Sequence, residues 1–120
     1  MNKVTQGRAA ETKVATYLRT RGYKILERNY TIRGGEIDII AKKDSQIVFV
    51  EVKSLSSEKY VGLLDTISEK KKHTLIRTCR YWLWDKGLED TDWRLDFIGI
   101  VVESGGKIKK LQHIENALSY

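Results

Sequence analysis

Two apolar segments separated by a short polar break constrain this chain more than any other feature. Ile37-Asp38-Ile39-Ile40-Ala41 leads into Lys42-Lys43-Asp44-Ser45, and Ile47-Val48-Phe49-Val50-Glu51-Val52-Lys53 follows. β-Branched and aromatic residues suit a pleated surface, and Asp-Ser makes a turn tip. The spacing therefore predicts two antiparallel strands folded about residues 44 and 45. The second strand is apolar at successive positions, not only at alternate ones, which marks a strand buried on both faces near the centre of a sheet.

Pairing about that tip sets Asp38 directly across from Glu51, and opposed residues have Cβ atoms about 4.5–5.5 Å apart on one face. Alternation keeps Lys53 on the face of Glu51. Two carboxylates so close repel each other unless a cation lies between them or one keeps its proton. Hard oxygen ligands at this spacing suit Mg²⁺ or Mn²⁺, which bind through one or two carboxylates, waters and phosphate oxygens. Metal-dependent phosphodiester cleavage requires that arrangement. Ordinary charge on a solvated hairpin is the alternative for any one of these residues. For the group, a charge in a buried strand is costly unless it is paired or metal-bound, so Glu51 and Lys53 in such a strand imply a purpose.

The rest of the chain supplies the frame. Ala10, Val14, Tyr17, Leu18 and Arg21 recur at helical spacing and predict a helix over residues 6–21, with Gly22 as its stop and Tyr23 as the apolar partner of the cap. Residues 23–29 have β character and lead through Thr31-Ile32-Arg33-Gly34-Gly35 into the paired strands. The two glycines suit either a plain loop or a close approach to phosphate. Residues 54–64 read as a polar, irregular loop beside the proposed site. Ser68, Lys71, Leu75, Ile76, Cys79, Trp82 and Leu83 predict a second helix ending near Gly87, with Lys71 along its inward stripe and Lys70 and Lys72 fanning outward. Residues 93–102 predict a strand, Gly105-Gly106 a turn and residues 107–113 the returning strand, followed by a short stretch with helical potential. Helix, three strands, helix and two strands make an α/β fold, a mixed central sheet with helices on both faces.

The 120 residues suffice for one domain with a core and are too few for two. No low-complexity segment or internal repeat is present. Residues 1–21 carry charges throughout and lack the apolar run of a signal peptide or membrane span, so a cytoplasmic location is expected. Cys79 is the only cysteine, which excludes an internal disulfide and a thiolate zinc cluster. His73 and His113 stand without partners at ligand spacing and read as surface or hydrogen-bonding residues. Lysine and arginine total 22 against 16 acids, a net charge of +6, which favours a polyanionic partner.

Gly7 to Glu11, Gly22-Tyr23, Asn29, Gly35 to Ala41, Val48 to Lys53 and Arg94-Leu95-Asp96 together resemble the YraN-like (UPF0102) family, a likeness that spans nearly the whole chain. That family is similar in turn to archaeal Holliday-junction resolvases and to the restriction-endonuclease-like PD-(D/E)xK nucleases. The resemblance implies a restriction-endonuclease-like core, αβββαβ plus a C-terminal strand. It also implies one metal site built from Asp38, Glu51 with Lys53, and Glu11 of the first helix. Ile37-Asp38 stands where Pro-Asp is usual, a departure that removes no ligand. The residues themselves put Glu11 beside the inward stripe of its helix, with a solvated glutamate near the helix start as the alternative.

On this reading Asp38 and Glu51 hold Mg²⁺ or Mn²⁺ with the Val52 carbonyl as third ligand. Lys53 orients water or stabilises transition-state charge, and Glu11 binds through water or accepts a proton. Lys71 neutralises a phosphate or simply snorkels over the sheet edge. Lys70, Lys72 and Arg33 are candidate phosphate contacts, although lysine runs are commonly solvated helix faces. Trp82 fits the core and Trp84 the surface, where it could stack on an unpaired base. Asp96 matches the family's R-x-D segment and equally suits a structural hydrogen-bond acceptor. The expected activity is a divalent-metal-dependent endonuclease on DNA, including branched or structured DNA, and symmetric junction cleavage would require a homodimer. A nucleic-acid-binding protein that keeps the nuclease fold without turnover is the alternative, and an interaction module with a structural metal is a third.

Overall fold

The computed structural model describes residues 3–55, 62 and 67–118. Its elements are α1 (Lys3–Thr20), β1 (Lys24–Ile32), β2 (Gly35–Lys43), β3 (Gln46–Ser54), α2 (Glu69–Asp85), β4 (Trp93–Val102) and β5 (Ile108–Ile114). The five strands form one sheet in the order β1-β2-β3-β4-β5. β3 and β4 run parallel and the other neighbours antiparallel. A parallel pair cannot be joined by a tight turn, and the connection carrying α2 makes that crossover. The α/β architecture expected from the sequence is present, with the apolar strand β3 at its centre.

Both helices end in glycine caps. The amide of Tyr23 donates to the Leu18 carbonyl at 3.0 Å and that of Gly22 to the Arg19 carbonyl at 3.1 Å, with Gly22 at φ +87°. This is the paired capping pattern that places glycine in the left-handed region. Gly87 repeats it after α2, where the Leu88 amide reaches the Leu83 carbonyl at 2.8 Å. α2 opens on Ser68, whose side chain accepts from the Lys71 amide at 3.1 Å.

Strand alternation splits the core in two. Leu75, Cys79, Trp82 and Leu83 of α2 pack with Ile40, Phe49, Leu95 and Phe97 on one face. Ala10, Val14, Ala15 and Leu18 of α1 pack with Ile39, Ala41, Val48, Val50, Ile98 and Ile100 on the other. Ile37 departs from simple alternation, joining the α2 side although Ile39 joins the α1 side. Strand β2 therefore turns about its axis at Asp38.

Two of the expected elements need amendment. The helix expected from residue 6 begins at Lys3. The segment after β5 is a turn over residues 115–118, not a helix. Asn116 sits at φ +50°, its amide donates to Asp96, and the Ala117 amide donates to the Leu95 carbonyl, so β4 takes the hydrogen bonds a helix would need. Most of the loop expected over residues 54–64 lies outside the described residues.

Candidate active site at the β2–β3 fork

The register of the central hairpin is the one the turn tip implies. Ile39 pairs with Val50, Ile40 with Phe49, Ala41 with Val48 and Lys43 with Gln46, about a tip whose Asp44 adopts φ +54°. Asp38 and Glu51 are the next positions outward, where the ladder stops. There β2 leaves β3, and the Asp38 side chain takes over as acceptor: Oδ2 receives the Val52 amide at 2.7 Å. A backbone donor that would otherwise lose its partner thus fixes the carboxylate at the mouth of the fork.

The Glu51 side chain is 14% exposed and turns towards α2, on the face of Phe49. Its Oε2 meets Lys71 Nζ at 3.3 Å, while Oε1 is buried without a hydrogen-bond partner. Burial, then the charge of Asp38 and a hydrogen-bonding contact with its carboxyl, push the Glu51 carboxyl from 4.5 up to about 8, with Lys71 opposing. The two acids therefore converge as the hairpin register requires, and they do so at an energetic cost. Lys71 compensates part of this cost through Oε2, from a side chain that is itself 40% exposed.

Glu11 reaches the same region from α1. It is buried well inside the helix, which removes the solvated alternative, and its Oε1 accepts from Arg28 Nε at 3.1 Å. Burial raises its carboxyl above the ordinary value; the Arg28 hydrogen bond opposes this, and the charge of Asp38 adds to it. Glu11 and Asp38 thus sense one another, yet among the described residues no three acids, histidines or cysteines converge on one point. Lys53 lies at the exposed end of β3, so the expectation that it is buried does not hold: the covered stretch is Ile47 to Val50, and the strand emerges from the core beyond it. No ion pair holds Lys53 among the described residues.

A buried carboxylate oxygen with no donor, beside a second carboxylate, is a hard-oxygen pair short of positive charge, and such a pair fits a divalent ion that takes its remaining ligands from water and substrate. Lys70 and Arg33 are exposed on α2 and on the β1–β2 turn respectively. Lys72 pairs with Glu69 at 3.2 Å, one turn away on its own helix. The glycines before Glu36 serve packing. Gly34 turns at φ +81° and its carbonyl accepts from Arg77, whereas a Cβ on Gly35 would stand 2.1 Å from Thr78 Oγ1.

Sequence reasoning missed Arg28, whose contact with Glu11 depends on how α1 crosses β1. It also left the surroundings of Asp96 open. Asp96 is fully buried and accepts from Arg94 at 2.9 Å, from the Asn116 amide at 2.9 Å, and lies 2.8 Å from His113 Nε2. Burial alone would raise its carboxyl, but those hydrogen bonds hold it below the ordinary value. Of the two readings left open for Asp96, the structural acceptor is the one these contacts describe. His113 is, as expected, a hydrogen-bonding residue; Trp82 is buried and Trp84 exposed.

The strand order, the two-sided helical cover and the acid pair at a strand fork define a restriction-endonuclease-like α/β protein. The chain belongs to the Uncharacterised protein family UPF0102, whose model matches residues 10–100. Relatives include a UPF0102 protein of Sulfurihydrogenibium sp., 36% identical over 119 residues that cover 99% of this chain and 98% of the relative. One from Clostridioides difficile is 38% identical across 98% of this chain and 99% of its own length. Another from Carboxydothermus hydrogenoformans is 38% identical over the full length of both.

Proposed function

We propose that this protein is a divalent-metal-dependent endonuclease that hydrolyses phosphodiester bonds in DNA, with branched or structured DNA as its preferred substrate. The observation that carries this reading is the closeness of the Glu51 and Asp38 carboxyls, one Glu51 oxygen, Oε1, being buried without a hydrogen-bond donor. Asp38 and Glu51 would hold Mg²⁺ or Mn²⁺. The Val52 carbonyl lies on the same strand edge as the amide that binds Asp38, so it is available as a third oxygen. When bound, such an ion polarises a phosphate oxygen and makes water more acidic.

The chain's own groups do the rest. Lys53, exposed at the mouth of the fork, orients the attacking water or meets the charge that builds on the phosphate. Lys71 can leave Glu51 for a phosphate oxygen, because its side chain is already part-exposed. Glu11, with its carboxyl raised, is suited to accept a proton, while Arg28 keeps it in position. Lys70, Lys72 and Arg33 would neutralise flanking phosphates. Cutting a junction symmetrically would require a homodimer with both forks on one face. A DNA-processing activity belongs in the cytoplasm, the compartment this reading assigns.

The test is incubation of the full chain with labelled duplex, single-stranded and four-way DNA in Mg²⁺, Mn²⁺ or EDTA. Cleavage should require the metal and vanish in Asp38→Asn, which keeps an acceptor for the Val52 amide, while binding persists. One observation favours a second reading, a DNA-binding protein of nuclease fold without turnover: Lys71 and Arg28 already compensate Glu51 and Glu11. Measurable binding with no cleavage in either metal would establish that reading in place of the first.

A further inference from the structure

α2 carries a second chemical surface, exposed to solvent. Lys70, His73, Arg77, the adjacent Arg80 and Tyr81, and Trp84 follow one another along the helix at near three- and four-residue spacing and are all exposed, Arg77 also donating to the Gly34 carbonyl at 2.9 Å. Tyr81 is 44% and Trp84 60% exposed, with ring centroids 5.7 Å apart and planes inclined at 52°, so the two side chains form one aromatic pair in water, each ring offering its own face. The core on the opposite side of the helix already has Trp82 and Leu83, and the pair contributes nothing to it. Keeping such apolar area exposed is unfavourable unless something covers it. The residues leading to it are basic, and no acid interrupts the stripe: Glu69 and Asp85 stand only at the two ends of the helix. Cations followed by an open aromatic pair are the combination that holds single-stranded nucleic acid, where bases stack on rings and phosphates track the positive charge.

The stripe begins at Lys70, next to the Lys71 that pairs with Glu51. Lys71 lines a cleft of about 310 Å³ between α2 and the β1–β2 turn, together with Gly34, Gly35 and Thr74. From Lys71 to Trp84 the helix rises about 20 Å, the length of about six nucleotides at stacked spacing. We propose that the outer face of α2 is a track for an unpaired strand of the nucleic-acid substrate, with Tyr81 and Trp84 stacking on its bases. This rests on the nucleic-acid substrate proposed above but needs no turnover.

The experiment is fluorescence anisotropy of the full chain in EDTA with a labelled twelve-nucleotide single strand and the corresponding duplex, for wild type, Trp84→Ala, Trp84→Phe and Tyr81→Ala/Trp84→Ala. Stacking on one ring predicts a loss of about ten-fold in single-strand affinity for Trp84→Ala and a further loss for the double variant. Trp84→Phe should recover most of that loss, and the duplex should change less than two-fold. Far-ultraviolet circular dichroism of each variant confirms that it is folded. Equal losses on both probes, or no loss on either, overturn the track and leave the aromatic pair to a protein partner. Cleavage assays in Mg²⁺ separate this inference from the catalytic one. If single-strand binding depends on Trp84 while no substrate is cut, the track stands and the hydrolytic proposal fails. If cutting proceeds with single-strand affinity insensitive to Trp84, the reverse holds.

Discussion

Glu51→Gln is the substitution through which the fork declares itself without any substrate. A carboxyl raised from 4.5 to about 8 by folding binds a proton in the native state that the unfolded chain has lost over that interval. Stability then falls as pH rises, by about 1.4 kcal/mol per pH unit, from the unfolded value to the folded one. Across the whole interval the loss amounts to about 4 to 5 kcal/mol, fully expressed above pH 8 and absent below the unfolded value. A glutamine of the same shape has no charge to desolvate or to oppose Asp38. Metal-free Glu51→Gln should therefore match wild type near pH 4.5 and exceed it progressively up to pH 8, a gap already net of the attraction of Lys71 for the charged glutamate. Urea unfolding in EDTA at unit steps from pH 5 to 9 measures this as a widening gap between midpoints at a shared m-value. Added Mg²⁺ should narrow the gap by stabilising wild type, by about 2.7 kcal/mol at one hundred times its dissociation constant, and should do less for the variant. Parallel stability curves for the two proteins across that pH range would refute the account of an acid pair under strain.

Three further outcomes follow from the remaining geometry. Asp96→Ala strands Arg94 and His113 without their acceptor and should cost about 3–5 kcal/mol, read as a fall in Tm. Because Asp96 is held below its ordinary 3.8, its contribution to wild-type stability is present above that pH and should disappear as the pH drops further, a slope that acid titration of Asp96→Asn would lack. Gly35→Ala sets a Cβ against Thr78 Oγ1 and should destabilise by about 1–3 kcal/mol in chemical unfolding; Thr78→Ala in the same chain should recover much of that, giving a non-zero coupling energy in a double-mutant cycle.

The parts of the fork that were legible in the sequence are those fixed by local rules. A tip at Asp44-Ser45 and a two-residue side-chain period specify which position opposes which, and the Ile39–Val50 pairing obeys them. The cap at Gly22-Tyr23 was readable for the same reason, since one glycine at positive φ determines it. Lys71 was half readable: helical spacing gives its direction, but its meeting with Glu51 depends on how α2 settles on the sheet. The contacts that sequence could not supply join residues far apart in the chain, such as Arg28 with Glu11 and Asp96 with His113. Lys53 was misjudged because hydrophobic pattern does not reveal where a strand leaves the core.

The location of the acid pair bears on the order in which the molecule assembles. Asp38 and Glu51 lie on consecutive strands joined by a tight turn, whereas Lys71 arrives only when the long crossover brings β4 beside β3. Short-range hairpins close in microseconds and distant pairings wait on larger loops. The nascent sheet therefore meets the repulsion between Asp38 and Glu51 before the compensating lysine is in place, while the cost of burying Glu51 arrives with α2 itself. Neutralising Glu51 should accelerate refolding more than it slows unfolding, so the residue proposed to bind the ion also acts as a brake on the chain's own folding.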